Sequence, residues 1–503
     1  MVYCAAKKKP MDHDLRNCMM VSAFKSVFLR LVAGVFALLL TGCALFTPSV
    51  DEPADVTSVP AAFRAGSGGA LPMSNRWWEV FGDAELNRLI EVALTNNTTI
   101  AQAEARLRQA NATARKQRAS LYPVLNLGAS AAEKQQHTQN DAGDSSTTTI
   151  ETYGLNLAGS YELDLWGRLR AERQSAALDA LATAADRDTV AITLSAEVAL
   201  RYYELIIRQE AIRLLEHQLA SNQSTLDLLD LRFRRGQATA LDVLQQRQVV
   251  ADNAALIPLQ RGVRASVSDE LAILLGRMPS DSYQPRSAVL PELPPLPDAG
   301  LPADLLERRP DVQSAWLALS SAAWNVEASR ANRLPALSIT AAASTEGDAV
   351  STLFDNWLLN LAGNLAAPLV DGGRRSAEVE RTRAVLDAAV AAYRGTAMRA
   401  VAEVQQALRM ESAQQENLDA LSVGLEAARQ SREQALLRYG RGAETYLRVI
   451  SAILSENKLE RSTLDARYQV LAYRVQLYRS LSGDWNQPQE MTRPSEESTG
   501  EPK

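Results

Sequence analysis

The chain has 503 residues, a formal net charge of −6 at pH 7, 46% hydrophobic residues and 6% aromatic ones. That balance leaves no basic footprint for nucleic acid. The three cysteines and three histidines are scattered, which excludes a disulfide framework, a metal-ligand cluster and a histidine dyad, and no segment after the N-terminal region offers the ~18 apolar residues of a transmembrane helix.

Residues 19–43 read as an export signal. Lys25 and Arg30 form a basic region, Leu31 to Leu40 a short apolar core, and Leu40-Thr41-Gly42-Cys43 follows. Met1 to Cys18 falls outside that pattern and reads as an upstream extension, with Met19 or Met20 as the start. The tetrad resembles a bacterial lipobox. The resemblance implies cleavage before Cys43, lipid on its sulfur and new N-terminus, and, with Ala44 next, sorting to the outer membrane. The competing reading is an ordinary signal peptide with a chance cysteine. Residues 1–42 are thus the extension and signal, and 43–74, rich in Pro, Ala, Ser and Gly, an extended tether.

Helices are expected over 75–122. They open on Trp77-Trp78, a pair read as core or a covering lid. Pro123 stops the second of them. A first β-hairpin then spans 123–164. Leu125, Leu127, Ala129 and Ala131 alternate with Asn126, Gly128 and Ser130, and the return strand places Tyr153, Leu155, Leu157, Gly159 and Tyr161 on one side. The pattern returns over 335–370, where Pro335 stands for Pro123, a shift of 212. Leu337, Ile339, Ala341 and Ala343 form one stripe there, and Trp357, Leu359, Leu361, Gly363 and Leu365 the other. Tyr153, Tyr161 and Trp357 suit the two water–lipid interfaces of a membrane strand. Alternation alone also fits a two-sided soluble sheet. In lipid, four strands cannot close, open edges are not tolerated, and barrels have at least eight strands. Two chains would reach that minimum, and three would give twelve.

Each hairpin is followed by a long helical hairpin, 165–278 and 371–483, and the two align at a shift of 206. Gly167-Arg168 meets Gly373-Arg374, and Leu231-Arg232-Phe233-Arg234-Arg235-Gly236 meets Leu437-Arg438-Tyr439-Gly440-Arg441-Gly442. A fixed shift over so many residues is an internal repeat. Leu205, Ile212, Leu219, Leu226 and Phe233 recur every seven residues, with Leu215 and Leu229 in the companion seam, as in a coiled coil. An uninterrupted arm of this length is roughly 100 Å long and turns at Gly236 or Gly442. A Pro-rich linker, 279–302, joins the halves, helices are expected over 303–334, and 484–503 reads as a polar, disordered tail.

Together these features resemble the TolC-like outer-membrane efflux channels, in the lipoprotein branch that serves resistance-nodulation-division pumps. The residues that carry the likeness are the lipobox, Trp-Trp-Glu-Val-Phe-Gly-Asp at 77–83, Leu-Leu-Glu-Arg-Arg-Pro-Asp-Val at 305–312 and the twin hairpins. The resemblance implies a mainly α chain with a membrane β-barrel. A homotrimer forms a twelve-stranded barrel in outer-membrane lipid, continuous with a periplasmic α-helical barrel. It implies a passive exit duct fed by a periplasmic adaptor and an inner-membrane resistance-nodulation-division pump, with no cofactor and no metal. Arg234, Arg235, Gly236, Gln237, Arg441, Gly442 and Ala443 match adaptor-docking tips. Glu444 matches an acidic gate position, Asp242 a second gate-region position, and Arg448 replaces an expected aspartate. Charges that merely solvate a helix end, or a simple surface ion pair, are the alternative for these residues. Two other functions stay open: the duct of a type I protein-secretion exporter, and a lipid-anchored coiled-coil scaffold without a pore. No nucleophile–base or metal constellation supports an enzyme.

Overall fold

The computed structural model describes residues 63, 76–139, 145–280, 283–287, 289–297, 299 and 302–483. The export signal, Cys43, nearly all of the tether and the tail expected over 484–503 lie outside the described residues. Two compact units are present. Among the described residues, those within Ala112–Leu178 and Leu319–Ala388 make one, and those within Glu52–Asn111, Asp179–Ala318 and Ala389–Lys503 the other.

The first unit is organised by a four-stranded antiparallel sheet in the order β1-β2-β3-β4. Its strands are β1 (Val124–Gln139), β2 (Ser145–Leu163), β3 (Ala336–Gly347) and β4 (Trp357–Ala366). Register puts the alternating stripes on one surface. Leu127 pairs with Leu157, Leu157 with Ala343, and Ala343 with Leu359. The opposite surface carries Asn126, Ala158, Ala342 and Asn360 in the same way. Since side chains alternate strictly along a strand, one correct register aligns every stripe. Beyond Tyr153↔Gly347, where pairing with β3 stops, β1 and β2 continue as a polar two-stranded ribbon from Ala132↔Thr152 to Gln139↔Ser145. The strand-to-helix turns are built by aspartates. Asp164 accepts from the backbone N–H groups of Leu169 and Arg170 at 3.1 and 3.0 Å, and Asp371 from those of Gly373 and Arg375 at 3.1 and 3.2 Å. These carboxylates satisfy amides that the first helical turn cannot.

The helices are α1 (Ala84–Asn96), α2 (Thr98–Ala119), α3 (Arg168–Arg234), α4 (Ala240–Leu274), α5 (Pro302–Arg308), α6 (Pro310–Ala331), α7 (Arg374–Gly440) and α8 (Tyr446–Leu481). The long arms α3 and α7 each have 67 residues, and their return helices 35 and 36. In the second unit the main core gathers Trp77, Trp78, Phe81, Leu86, Ile90, Tyr202, Tyr203, Leu271 and Tyr478. Trp77 is fully buried, stacks on Tyr478 at 6.1 Å, and donates its indole N–H to Ser195 Oγ at 3.1 Å. The tryptophan pair is therefore core. Along α3, Leu205, Ile212, Leu215, Leu226 and Leu229 are buried, but Phe233 is 46% exposed. A seven-residue repeat drifts about 20° per heptad on a straight helix, and by the last heptad the stripe has left the packed face.

The Pro-rich crossover between the halves is fastened by side chains. Prolines lack the N–H that would pair in a ladder but still offer carbonyls. Arg474 donates to Pro294 O and forms a buried ion pair with Glu411, and Tyr478 Oη donates to Pro295 O at 3.2 Å. Upstream, Tyr283 N donates to Ser268 Oγ at 2.6 Å, and Glu85 accepts from Tyr283 Oη and from Arg286 N. Ser268 and Arg474 are equivalent positions at the 206-residue shift. At the Leu-Leu-Glu-Arg-Arg-Pro-Asp-Val run, Arg309 is the hub. It donates to Asp311 Oδ2 at 2.6 Å, Glu403 Oε2 at 3.1 Å and Ser480 O at 3.0 Å.

Candidate functional site

Two regions hold the residues expected to carry function, and each is described by itself. The first is the sheet. Its apolar surface is bare: Leu127, Leu361 and Trp357 are 75%, 75% and 77% exposed. Burying such a surface in hydrocarbon is favourable, and leaving it in water is costly. Tyr153 and Tyr161 stand on this surface at opposite ends, eight residues apart (161 − 153), or about 27 Å along a strand. Trp357, opposite Thr345, marks the same end as Tyr153. That spacing, reduced by strand tilt, matches an apolar band of about 25 Å between aromatic girdles. Among the described residues, one edge of β1 and one edge of β4 have no strand partner. No helix among them is long and apolar enough to cross a membrane.

The second region is the pair of helical tips, both in the second unit. Each arm ends in the same closure. Gly236 N donates to Phe233 O and Gln237 N to Arg232 O, at 2.9 and 2.8 Å; Gly442 N donates to Tyr439 O and Ala443 N to Arg438 O, both at 3.0 Å. The two glycines have φ of 75° and 71°, the left-handed conformation that closes a helix C-terminus and that side chains with a Cβ resist. Arg234, Arg235, Gln237, Arg441, Ala443 and Arg448 are all exposed. Arg232 lies over the Tyr439 ring at 5.0 Å, a cation–π contact.

The return helices start differently. Thr239 caps α4 with a complete capping box: its hydroxyl accepts from Asp242 N at 3.2 Å, and the Asp242 carboxylate accepts from Thr239 N at 2.9 Å. Thr445 caps α8 with no side-chain hydrogen bond. Its amide donates instead to Glu444 Oε1 at 3.2 Å, and Glu444 Oε2 lies 3.9 Å from Arg438 Nη2. Within a protomer the ion-pair partner of Glu444 is thus Arg438. Arg448, the cation that sequence reasoning set beside it, is one turn into α8, with its backbone N–H on Thr445 O.

Beneath the tips lies a small core of Leu226, Leu229, Val243, Val249, Tyr446, Val449, Ile450 and Ile453. Tyr446 crosses it and donates to Gln246 Oε1 at 2.6 Å, while Gln246 Nε2 donates to Asn222 O at 2.8 Å. Burial, with Tyr439 and Asp242 nearby, pushes the Tyr446 phenol far above its usual range, so it remains a donor. Sequence reasoning missed this network. Its one trace was a mismatch between the repeats, Ala240 against Tyr446. Among the described residues no group of three His, Cys, Asp or Glu side chains is placed to hold a metal ion.

The family model described as outer membrane efflux protein matches residues 89–277 and 301–483. The chain belongs to this family of outer membrane efflux proteins. It is 32% identical over 457 residues to the pyoverdine export outer membrane protein OpmQ of Pseudomonas putida, covering 89% of this chain and 96% of that one. It is 30% identical over 481 residues to the cation efflux system protein CusC of Escherichia coli, covering 91% and 99%. The solved outer membrane protein VceC of Vibrio cholerae aligns with a TM-score of 0.74 and 26% identity, over 82% of this chain and all of that one. This member of the family is accordingly an outer-membrane protein, and its work is efflux, as the exit duct.

Proposed function

We propose that three copies assemble into a twelve-stranded outer-membrane barrel continuous with a periplasmic α-helical barrel, and that this duct passively releases small toxic compounds delivered by an inner-membrane pump. The observation that carries the reading is the sheet: one surface striped with leucines, an opposite surface that carries Asn126 and Asn360, and two open edges among the described residues of a single protomer. In hydrocarbon those edges must be paired, and copies of the same chain are what is at hand. The relatives support efflux over protein secretion, since their names speak of pyoverdine export and cation efflux.

In this reading the pump is of the resistance-nodulation-division class, and a periplasmic adaptor docks on the tips around Arg234, Arg235, Gly236, Gln237, Arg441, Gly442 and Ala443. Three copies of Glu444 encircle the axis as the periplasmic gate. Like charges in a narrow mouth repel one another and attract cations. Asp242 and Arg448 support the gate from the turns next to it. Cys43 carries lipid that adds a second hold on the membrane.

The test is conductance of the detergent-purified protein in planar bilayers, together with its oligomeric state. A trimer with discrete single-channel currents is expected. A water-soluble oligomer without conductance would instead establish the pore-free scaffold.

A further inference from the structure

The two hairpins finish differently. Beyond Tyr153↔Gly347 the first runs on as a polar ribbon, whereas the second stops, and residues 348–356 return the chain from β3 to β4. This return loop is tightly knit. Val350–Thr352 form a short 3-10 turn. Thr352 Oγ1 donates to Asp348 Oδ1 at 2.7 Å and accepts from Ala349 N at 3.1 Å, and Asp355 N donates to Thr352 O at 3.1 Å.

Two residues of β3 set the direction of the loop. Gly347 pairs with Tyr153, and Thr345 with Leu155 and Trp357. Directly paired residues share a face of the sheet, so both belong to the apolar surface. A Cβ at Gly347 would stand 2.8 Å from Thr352 O and 2.9 Å from Thr352 C. The space above Gly347 on that surface is therefore filled by backbone of the loop. The Thr345 hydroxyl reaches the same way and donates to Leu353 O. The loop thus folds back over the apolar surface. A loop that narrowed a pore would have folded the other way, over Glu346 and the polar surface. Two apolar side chains of the loop are left bare, Val350 at 68% and Phe354 at 72% exposed.

We infer that this loop is a lipid-binding shelf that lies down on the outer leaflet, with Val350 and Phe354 in the interfacial layer beside Trp357. This rests on the reading above in which the apolar surface faces lipid. Both strands lead to helices at the opposite end of the sheet, so the loop meets the leaflet farthest from the helical arms. Trp357 opens β4 on the apolar surface only three residues after Phe354 (357 − 354) and is itself bare. Aromatic rings gather at the level where hydrocarbon gives way to headgroups, and the loop extends that girdle sideways. Each apolar side chain taken out of water there favours the seat in proportion to its area. The bonds within the loop have already fixed its conformation, so little ordering remains to oppose binding.

The test is the collision accessibility of a nitroxide on Phe354→Cys, in the full chain reconstituted into vesicles of palmitoyl-oleoyl phosphatidylcholine. Oxygen concentrates in lipid, and a nickel chelate stays in water. Leu361→Cys on the apolar surface and Asn360→Cys on the polar one set the two limits, and the unsubstituted protein gives the labelling background. The label on Phe354→Cys should favour oxygen over nickel severalfold more than the label on Asn360→Cys. Adding Gly347→Ala should bring it close to the Asn360→Cys limit, because the new methyl forces the backbone at Thr352 to move, while the label on Leu361→Cys stays in lipid. A Phe354→Cys label as open to nickel as that on Asn360→Cys would overturn the shelf and leave the lipid-facing sheet standing. So would a label shielded from both reagents, which would put a neighbouring copy over the loop, or one that Gly347→Ala leaves in lipid. A Leu361→Cys label found in water would overturn the lipid-facing sheet and the shelf together.

Discussion

The two helical tips have the same backbone and different chemistry. Both close through a left-handed glycine and the same pair of backbone hydrogen bonds. At the first tip the carboxylate of Asp242 is committed to its own helix, as half of a capping box. At the second tip that position is Arg448, the box is missing, and the acid has moved to Glu444, where the first tip has only Ala238. Glu444 holds a neighbouring amide and a long contact to Arg438, and its side chain is 27% exposed. A carboxylate locked into a cap is fixed and locally neutralised. One held by a 3.9 Å ion pair is free to answer charges that approach it. The duplicated tips thus differ in what their carboxylates hold: a capping box at the first, a neighbouring amide and a long ion pair at the second.

The sharpest way to break this comparison is to remove the floor that both tips share. Tyr446→Ala should destabilise the tip core by about 3–4 kcal/mol, as truncation of a buried aromatic does, and expose both turns to limited proteolysis. Tyr446→Phe should cost about 1 kcal/mol, because Gln246 Oε1 loses its donor. The phenol is raised in the folded protein, so its stability contribution is complete below the ordinary phenol value of about 10 and falls as pH rises beyond it. Thermal unfolding followed from pH 8 to 11 should show a shallower slope in Tyr446→Phe, the remainder coming from other buried tyrosines that are raised as well, Tyr202 and Tyr203 among them.

Next in size, Gly236→Val and Gly442→Val should each cost roughly 1–2 kcal/mol, since a β-branched residue resists positive φ. No atom lies within 4 Å of a Cβ at either glycine, so the penalty is conformational and should be equal at the two tips. Adaptor binding measured by surface plasmon resonance should weaken for both; an unaffected affinity would remove the tips from the docking surface.

Asp242→Ala should cost about 1 kcal/mol through loss of the capping box, whereas Arg448→Ala at the equivalent position should be nearly silent. Amide hydrogen exchange over the first turns of α4 and α8 would compare them directly. The smallest effect on stability is expected for Glu444→Gln, at most about 0.5 kcal/mol, as for an exposed ion pair. Its effect on function should run the other way: closed-state leak in planar bilayers should rise more for Glu444→Gln than for Asp242→Ala. Equal leak in the two variants would end the division between the tips.

Much of the fold was legible in the sequence because it depends on period and symmetry. Alternation placed Leu127, Leu157, Ala343 and Leu359 each in the apolar stripe of its own strand, and register joins the four stripes into one surface. The turn glycines were legible from their chemistry. What stayed hidden depends on individual side chains meeting across long separations. Glu444 finds Arg438 rather than Arg448 because the chain reverses between Arg438 and Glu444, and spacing on one helix says nothing about that. Tyr446 and Gln246 are 200 residues apart. Phe233 fitted the heptad but not the helix, whose true period carries it off the seam. The resemblance to outer-membrane efflux channels supplied the expected gate and docking positions. It did not reveal that the Asp242 carboxylate is already occupied.

The side-chain fastening of the crossover makes the duplication indivisible. Arg474 and Glu411, both buried in the second half, close on a carbonyl of the crossover, while Ser268 of the first half holds its other end. Two polypeptides severed at this junction would each retain a full complement of strands and arms. Yet without the Pro294 carbonyl a guanidinium N–H of Arg474 would remain buried with no acceptor, at a cost of about 1–3 kcal/mol. Half-genes expressed separately should therefore reassemble only when the severed ends can still reach these anchors.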